Sequence, residues 1–274
     1  MTEFTWNPRD YEKHSTQQQQ WARELIAKLR LGGDEIVLDL GCGDGKVTAE
    51  IASLVPRGRV LGVDSSPDMV RRASELHSRR HPNLRFALGD AADLTYEGEF
   101  TVVFSNATLH WLRDHRPVLT GIARSLRAEG RLLLQMGGRG NAAEVVAVMD
   151  EVTALPRWRG HFVDFAFPYG FYGLEEYLPW LGQASLRPVR VELLPKDMVH
   201  AGREGLAGWL RTTWLPYLQR VPEQLRHELL EEILDSYLAR RPLDETGVAH
   251  VNMVRLEVEA VKTPESRAVV LTSH

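Results

Sequence analysis

Three glycines at alternate positions, Gly41, Gly43 and Gly45, stand in the run LDLGCGDG, between a short apolar stretch and a helical one. Glycine at such positions lets the main chain turn tightly and approach a ligand with no Cβ in the way. The spacing is GxGxG. It lacks the GxGxxG of a dinucleotide fingerprint, and no Gly-Lys-Ser/Thr follows as a P-loop requires. A pyrophosphate is therefore less favoured here than an uncharged or zwitterionic nucleoside. Three carboxylates follow the same logic. Asp39 precedes the loop and suits a cationic amino group or an ordered water beside it. Asp64 falls about 20 residues beyond the loop, where a carboxylate can accept two hydrogen bonds from ribose hydroxyls. Asp90, in Gly-Asp-Ala, can accept from the exocyclic amine of adenine. Each has a plainer alternative: a structural turn for the glycines, an N-cap or loop role for the aspartates. Ser66 before Pro67 is itself a good N-cap and first-turn pair, which frees Asp64 for a ligand.

These residues matter only if the chain brings them to one edge. EIVLDL, RVLGVD (Arg59 to Asp64), LRFALGD (Leu84 to Asp90), FTVVFSN (Phe100 to Asn106) and RLLLQM (Arg131 to Met136) read as buried strands. A first helix is expected from Gln17 to Arg30, with Trp21, Leu25, Ile26 and Leu29 on one face and Gly32-Gly33 as its stop. Further helices are expected at Ala49 to Leu54, Pro67 to Ser78 and Arg116 to Arg127. Met69, Val70, Ala73 and Leu76 share a face of the second, and Val118, Leu119, Ile122 and Leu126 a face of the third. Strand and helix in alternation predict βαβ units with right-handed crossovers and a parallel sheet. The candidate residues then sit at carboxyl ends of strands, where open α/β sheets bind ligands.

After Gly140 the texture changes. Asn141 to Ala154 reads as a helix, and Pro156 to Pro179 is rich in aromatics, Gly and Pro, which predicts an irregular, substrate-facing insertion. Leu186 to Leu194 reads as a returning strand, Glu204 to Leu215 and Glu223 to Ala239 as helices, and VAHVNMVRLEVEAVK as a last strand. The resulting organisation is an N-terminal helical cap (1–32), a ligand-binding core (33–140), an aromatic-rich insertion (141–184), lid helices between the last two strands that complete the core (185–262), and a tail (263–274).

With 274 residues the chain can bury one full core. A net charge of -4 supplies no basic field for a phosphate backbone, so a nucleic-acid partner is not expected. Cys42 is the sole cysteine, which excludes an intramolecular disulfide and metal sites built on several thiolates, and fits a cytoplasmic protein. No metal is expected. The N-terminus lacks a signal peptide's apolar core, and no run of roughly 18 apolar residues predicts a membrane span.

VLDLGCGDG, GVDSSPDMV, GDA and FSNATLHWL, in that order, resemble the motifs of class I methyltransferases that use S-adenosylmethionine (SAM). Within that superfamily the chain is similar to the trans-aconitate methyltransferases, through Trp6-Asn7-Pro8 with Tyr11 and through Ser105 to Trp111. It is also similar to the juvenile hormone acid methyltransferases, through Leu-His-Trp and the Tyr-x6-Gln spacing of Tyr11 and Gln18. The likeness covers residues 6 to 140 well and the remainder in outline. Two features differ from the trans-aconitate pattern: His110 stands where those enzymes carry Gln, and residues 141–250 match little beyond a Trp and Trp-Leu-Pro region. The resemblance implies an α/β fold with a doubly wound, Rossmann-like, seven-stranded sheet, mostly parallel with a reversed last strand, plus a helical lid. It implies that Asp39, Gly41 and Gly43 surround the methionine part of SAM, and that Asp64 holds the ribose. Ser65, Met69, Asp90 and Ala91 would pack by the adenine, and Asn106 would sit at the methionine end. Both relatives esterify carboxylates.

The implied reaction is an in-line displacement that leaves S-adenosyl-L-homocysteine, a neutral leaving group, so positioning does much of the work. A carboxylate acceptor is already ionised near neutral pH and needs no base. A hydroxyl or amine acceptor would need one, with His110 the nearest candidate. Trp111 is a candidate aromatic wall near the transferred methyl, where its π-face would favour the sulfonium, or else a core Trp. His110 is either a substrate contact or a surface loop residue. Tyr11 and Gln18 either close the site by hydrogen bonding to SAM or substrate, or are plain helix-surface residues. A carboxylate substrate would want a partner from the lid, with Arg139, Arg159, His161, Tyr169, His200 and Arg211 as candidates. Phe162, Phe165, Phe167, Tyr169, Phe171 and Tyr172 either line an apolar pocket or form a small core, and Trp209 and Trp214 share that ambiguity. The expectation is a small-molecule O-methyltransferase, monomeric or homodimeric. N-, C- or hydroxyl methylation and a non-catalytic SAM-binding protein are the alternatives.

Overall fold

The structure, a computed structural model, describes residues 16–264, with side chains from Trp21 onward. Seven strands form one sheet: β1 (Ile36–Leu40), β2 (Arg59–Asp64), β3 (Leu84–Leu88), β4 (Phe100–Asn106), β5 (Leu126–Gly137), β6 (Leu186–His200) and β7 (Ala249–Lys262). Their order is β3-β2-β1-β4-β5-β7-β6. β1 to β5 pair in parallel, and β7 alone runs antiparallel to its neighbours β5 and β6. The expected doubly wound sheet with a reversed last strand is therefore present. Strand order reverses between β1 and β4, and a sheet of this kind opens a crevice at that point.

The helices are α1 (Thr16–Leu29), α2 (Lys46–Leu54), α3 (Pro67–His77), α4 (Arg116–Ser125), α5 (Ala143–Ala154), α6 (Leu174–Gln183), α7 (Gly202–Thr213), α8 (Leu215–Leu218) and α9 (Glu223–Arg240). Alternation within each strand decides what covers which face. Val37, Val102, Phe104 and Leu133 meet Leu25, Ile26 and Leu29 of α1 and Ile51 of α2. Leu38, Val103, Leu134 and Val258, one residue out of phase, meet Leu119 and Ile122 of α4 and Tyr177 and Leu181 of α6. A third core lies beyond the sheet, where α5, α7, α8 and α9 close over Met198, Val251 and Met253 at one end of β6 and β7. No helix among the described residues is long and apolar enough to cross a membrane.

Three of the boundaries that differ from the sequence reading have a plain physical cause. β5 starts at Leu126, which pairs with Phe100 before a register shift, so the strand takes over residues expected to end α4. β6 continues to His200 rather than Leu194 because β7 offers it partners over that whole length. The irregular stretch after Pro156 stops at Gly173, whose N–H donates to Glu176 Oε2 at 3.0 Å, and α6 begins there. α6 contains Pro179, a residue type that costs a helix interior about 3 kcal/mol. Burial of Tyr177 and Leu181 in the sheet core offsets that cost. Residues 141–184 thus divide between α5, which joins the lid core, and α6, which covers the sheet.

Candidate active site

The glycine loop turns because Gly41, Gly43 and Gly45 have φ of +72°, +54° and +80°. Its first two amides, Gly41 N and Cys42 N, donate to Val63 O at 2.7 and 3.1 Å, tying the loop to the end of β2. Asp64 completes the tie. Its two oxygens accept from Gly43 N and Ser66 N, each at 2.9 Å, while burial raises its pKa against those donors. The glycines differ in what they face. A Cβ at Gly41 would lie 2.0 Å from Thr108 Cγ2, and one at Gly45 would lie 2.6 Å from Phe86 Cζ. At Gly43 it would meet nothing within 4 Å. Packing requires the outer two glycines, and Gly43 alone looks onto open space.

Asp39 is 2% exposed, and burial pushes its carboxyl up to about 7 even though Thr48 Oγ1 donates to it at 2.7 Å. Thr48 stands in the first turn of α2. Across the loop, Ala107 adopts φ +56°, turning the chain after β4 so that Thr108 Oγ1 donates to Gly41 O at 3.1 Å. The sequence reading assigned neither threonine a role, Thr108 entering only as part of the Ser105 to Trp111 motif, because each acts through a neighbour in space. Cys42 is buried, and desolvation pushes its thiol up.

On the β2–β3 side, Ser66 accepts from Met69 N at 3.4 Å and caps α3, with Pro67 in its first turn. The expected cap is present, yet Asp64 is not left wholly free, since it also receives the Ser66 amide. Met69 is buried and Ser65 exposed. Asp90 Oδ1 accepts from Ala92 N at 2.9 Å, and Asp90 and Ala91 are both half-buried. Asn106 ends β4, with its Oδ1 buried and unpartnered. Gln135, its register partner on β5, donates from Nε2 to Glu257 Oε2 at 3.0 Å and leaves its own Oε1 buried and unpartnered. Two adjacent orphaned acceptors in a protein interior call for a donor.

His110 and Trp111 lie in a single 3₁₀ turn, Leu109–Trp111. His110 is 7% exposed, which overturns its reading as a surface loop residue. Gly137 N approaches its Nδ1 at 3.4 Å, and its ring sits 6.5 Å from Tyr169 and 6.1 Å from Phe171. Burial first, then the positive field of Arg255, pushes its pKa well below the usual value. It is a neutral imidazole at physiological pH and a weak base. Trp111 is half-buried, and its ring meets Tyr169 edge-on at 5.2 Å. Tyr11 lies outside the described residues. Gln18 falls within α1, its side chain outside the description. α1 itself is held against the sheet by Lys28, which pairs with Glu257 at 2.6 Å, and by Trp21, 5.9 Å from the Arg255 guanidinium.

The lid candidates separate clearly. Arg139 is engaged with Glu175 and Glu176, and Arg159 and Arg211 are exposed. His161 is half-buried, and His200 packs 5.2 Å from Trp209. Tyr169 is buried and donates from its hydroxyl to Thr213 O at 2.7 Å. Its ring stacks on Phe171 at 5.4 Å and meets Trp214 edge-on at 5.1 Å. Phe162 and Phe165 pack on Tyr217 instead, and Tyr172 packs on His115. The aromatic segment therefore serves as core and carries one wall, Trp111–Tyr169–Trp214, outward from the end of β4. Sequence reading missed Arg255. It is 5% exposed, and the signal was a cation set among the apolar residues Val251, Met253, Val254, Leu256 and Val258 of the last strand.

Residues 37–130 match the family model described as a methyltransferase domain. An uncharacterized methyltransferase of Schizosaccharomyces pombe is 34% identical over 72% of this chain and 79% of its own length. The trans-aconitate 2-methyltransferase of Deinococcus radiodurans is 33% identical over 80% of this chain and 84% of its own length. Among solved structures, geranyl diphosphate C-methyltransferase of Streptomyces coelicolor A3(2), bound to Mg2+, geranyl diphosphate and S-adenosyl-L-homocysteine, superposes with a TM-score of 0.54. It is 17% identical and covers 89% of this chain and 80% of that one.

Proposed function

We propose, for a chain that belongs to the class I SAM-dependent methyltransferases, that the methyl acceptor is a carboxylate of a small organic acid, which leaves as its methyl ester. The observation that carries this reading is the surrounding of His110, the nearest candidate base: it is buried beside the rings of Tyr169 and Phe171, with Gly137 N 3.4 Å from its Nδ1, a setting that disfavours the imidazolium it would become on taking a proton. A hydroxyl or ammonium acceptor needs a group to take its proton, whereas a carboxylate does not. Similarity to the trans-aconitate 2-methyltransferases supports the same acceptor class.

The residues present fit the cofactor. Gly43 opens onto space where a Cβ would intrude, and Asn106 and Gln135 offer buried acceptors with no protein donor. When bound, SAM supplies an electrophilic methyl on a sulfonium. Asp64, pinned by the Gly43 and Ser66 amides, keeps lone pairs for the ribose hydroxyls. Ser65, Met69, Asp90 and Ala91 flank the adenine, and Asp39, Gly41 and Asn106 surround the methionine end. Asn106 Oδ1 there accepts from the cofactor's ammonium. Trp111 forms the aromatic wall beside the transferred methyl, its π-face attracting the positive sulfonium. For Tyr11 and Gln18 a contact with SAM or substrate rests on the family resemblance alone. The chain's part would be to align the acceptor carboxylate with that methyl and to exclude water. A buried lone cysteine supports a cytoplasmic location.

Incubation with methyl-labelled SAM and a panel of mono-, di- and tricarboxylic acids tests the reading. Base-labile labelled esters are expected. Stable label found only in amines, phenols or carbon would refute it.

A further inference from the structure

One fully buried histidine has no part in the site described so far. His115 stands just before α4 and has a partner at each ring nitrogen. Its Nε2 lies 3.1 Å from Leu112 O, and its Nδ1 lies 2.5 Å from the hydroxyl of Tyr177 in α6. A carbonyl oxygen only accepts, so the ring proton sits on Nε2 and the Tyr177 hydroxyl donates to Nδ1. Burial pushes the imidazole down to about 4, which keeps this neutral form across the physiological range. Tyr177 is itself fully buried in the sheet core, so the pair has a firm base.

What the pair holds is the turn that carries His110 and Trp111. Leu112 directly follows Trp111, and its amide closes the turn on Leu109 O at 2.9 Å. The aromatic segment grips the same stretch from the other side. Gly170 N donates to His110 O at 2.9 Å, Tyr172 donates from its hydroxyl to Arg113 O, and the Tyr172 ring meets His115 edge-on at 4.9 Å. The fit around Leu112 O leaves no slack: a Cβ at Gly170 would lie 2.2 Å from that oxygen and 2.7 Å from His115 Nε2. An apolar side chain in place of His115 could fill the space, but it would leave Leu112 O without this donor and release that end of the turn.

We propose that His115 is a positioning residue for the methyl transfer: through Leu112 its hydrogen bond fixes the Leu109–Trp111 turn, and with it the Trp111 ring against which the acceptor is aligned. The inference rests on Trp111 being the wall of the site. It concerns placement alone, since both nitrogens of His115 are taken up by the chain itself. A small misplacement of aligned reactants costs rate out of proportion to binding.

The test compares His115→Gln with His115→Asn, by steady-state kinetics with trans-aconitate and by calorimetry with S-adenosyl-L-homocysteine. Glutamine carries an amide N–H to the place of Nε2 and can keep the bond to Leu112 O, whereas asparagine reaches only the place of Nδ1. Both variants lose packing and should lose stability alike. Even so, kcat should fall roughly ten-fold or more in His115→Asn and stay within about three-fold of the wild type in His115→Gln. Affinity for S-adenosyl-L-homocysteine should stay within about two-fold in both. Equal kcat in the two variants, or kcat that merely follows their stability, overturns the proposal. Should trans-aconitate not be esterified, or the His115 variants not fold, hydrogen exchange in Tyr177→Phe decides, because that variant keeps the ring and removes only the donor to Nδ1. The amides of Leu112 and Gly170 should exchange roughly five-fold faster or more, with those of Gly41 and Cys42 unaltered. Unchanged exchange at Leu112 and Gly170 overturns the inference, and unchanged kcat in Trp111→Leu overturns the reading of Trp111 on which it stands.

Discussion

At the residue scale, neighbouring glycines of one loop serve different ends, and substitution should separate them. Gly41→Ala places a Cβ 2.0 Å from Thr108 at a positive φ, so it should cost about 2–4 kcal/mol of stability, read by urea denaturation. Gly43→Ala has room for its methyl and carries only the left-handed backbone penalty, about 1 kcal/mol. Its loss should instead appear in calorimetry, as a fall of roughly ten-fold or more in affinity for S-adenosyl-L-homocysteine. If Gly43→Ala binds as the wild type does, the open space before Gly43 is not the cofactor's. Asp39 gives a second residue-level prediction. Its folded pKa, pushed up to about 7, lies above the unfolded value, so the folded state binds the extra proton between about pH 4 and pH 7. Stability of the ligand-free protein should therefore decline as pH rises through that window, and affinity for the cationic amino end of SAM should rise. Asp39→Asn should flatten both trends in thermal melts and in binding titrations. For His110 the expectation is negative: a kcat/KM profile with no ionisation of this group between pH 6 and 8, retained in His110→Gln.

At the scale of elements, the connection from α9 to β7 is fastened by one imidazole. His250 Nδ1 lies 2.7 Å from Asp197 on β6, and its Nε2 lies 3.1 Å from Asp244 in the connecting loop. Asp244 also accepts from Thr246 N and Val248 N, at 2.8 and 2.9 Å, which with His250 holds its carboxyl far down. Hydrogen bonds to the two aspartates raise the pKa of His250 in turn. A raised imidazole stabilises the fold fully below its unfolded pKa, about 6.5, and loses that contribution as pH rises through the folded value. Hydrogen exchange in residues 241–250 should accordingly speed up above that range, and His250→Gln should exchange at the faster rate at every pH. Because the group reaches solvent, salt should weaken the effect. The lid helices hang between β6 and β7, so this fastening bears on how firmly the aromatic wall is held over the site.

Across the whole molecule, one buried carboxylate links the N-terminal helix to the last two strands. Glu257 is fully buried and takes Lys28 from α1, Arg190 from β6 and Gln135 from β5. Lys28 and Arg190 remain partly exposed, so removing the carboxylate leaves cations that water can reach, while removing both cations strands a charge in the core. Lys28→Met with Arg190→Met should cost about 3–5 kcal/mol, and Glu257→Leu distinctly less, by chemical denaturation. The opposite order would mean that the carboxylate is not the desolvated partner. What sequence alone determined about this protein is what local chemistry encodes. Apolar runs marked the strands, turn residues marked the glycine loop and the Ser66-Pro67 cap, and motif order identified the family. Those signals are short-range, so β1 to β4 were read almost to the residue. Only the tertiary structure decided the rest. That β6 outruns its apolar stretch depends on β7, a partner roughly 60 residues away in the chain. The burial that disarms His110 comes from Tyr169 and Phe171, and Arg255 enters the site only because a reversed strand slots between β5 and β6. Desolvation and long-range pairing set those outcomes, and neither has a period or a motif to be read along one chain.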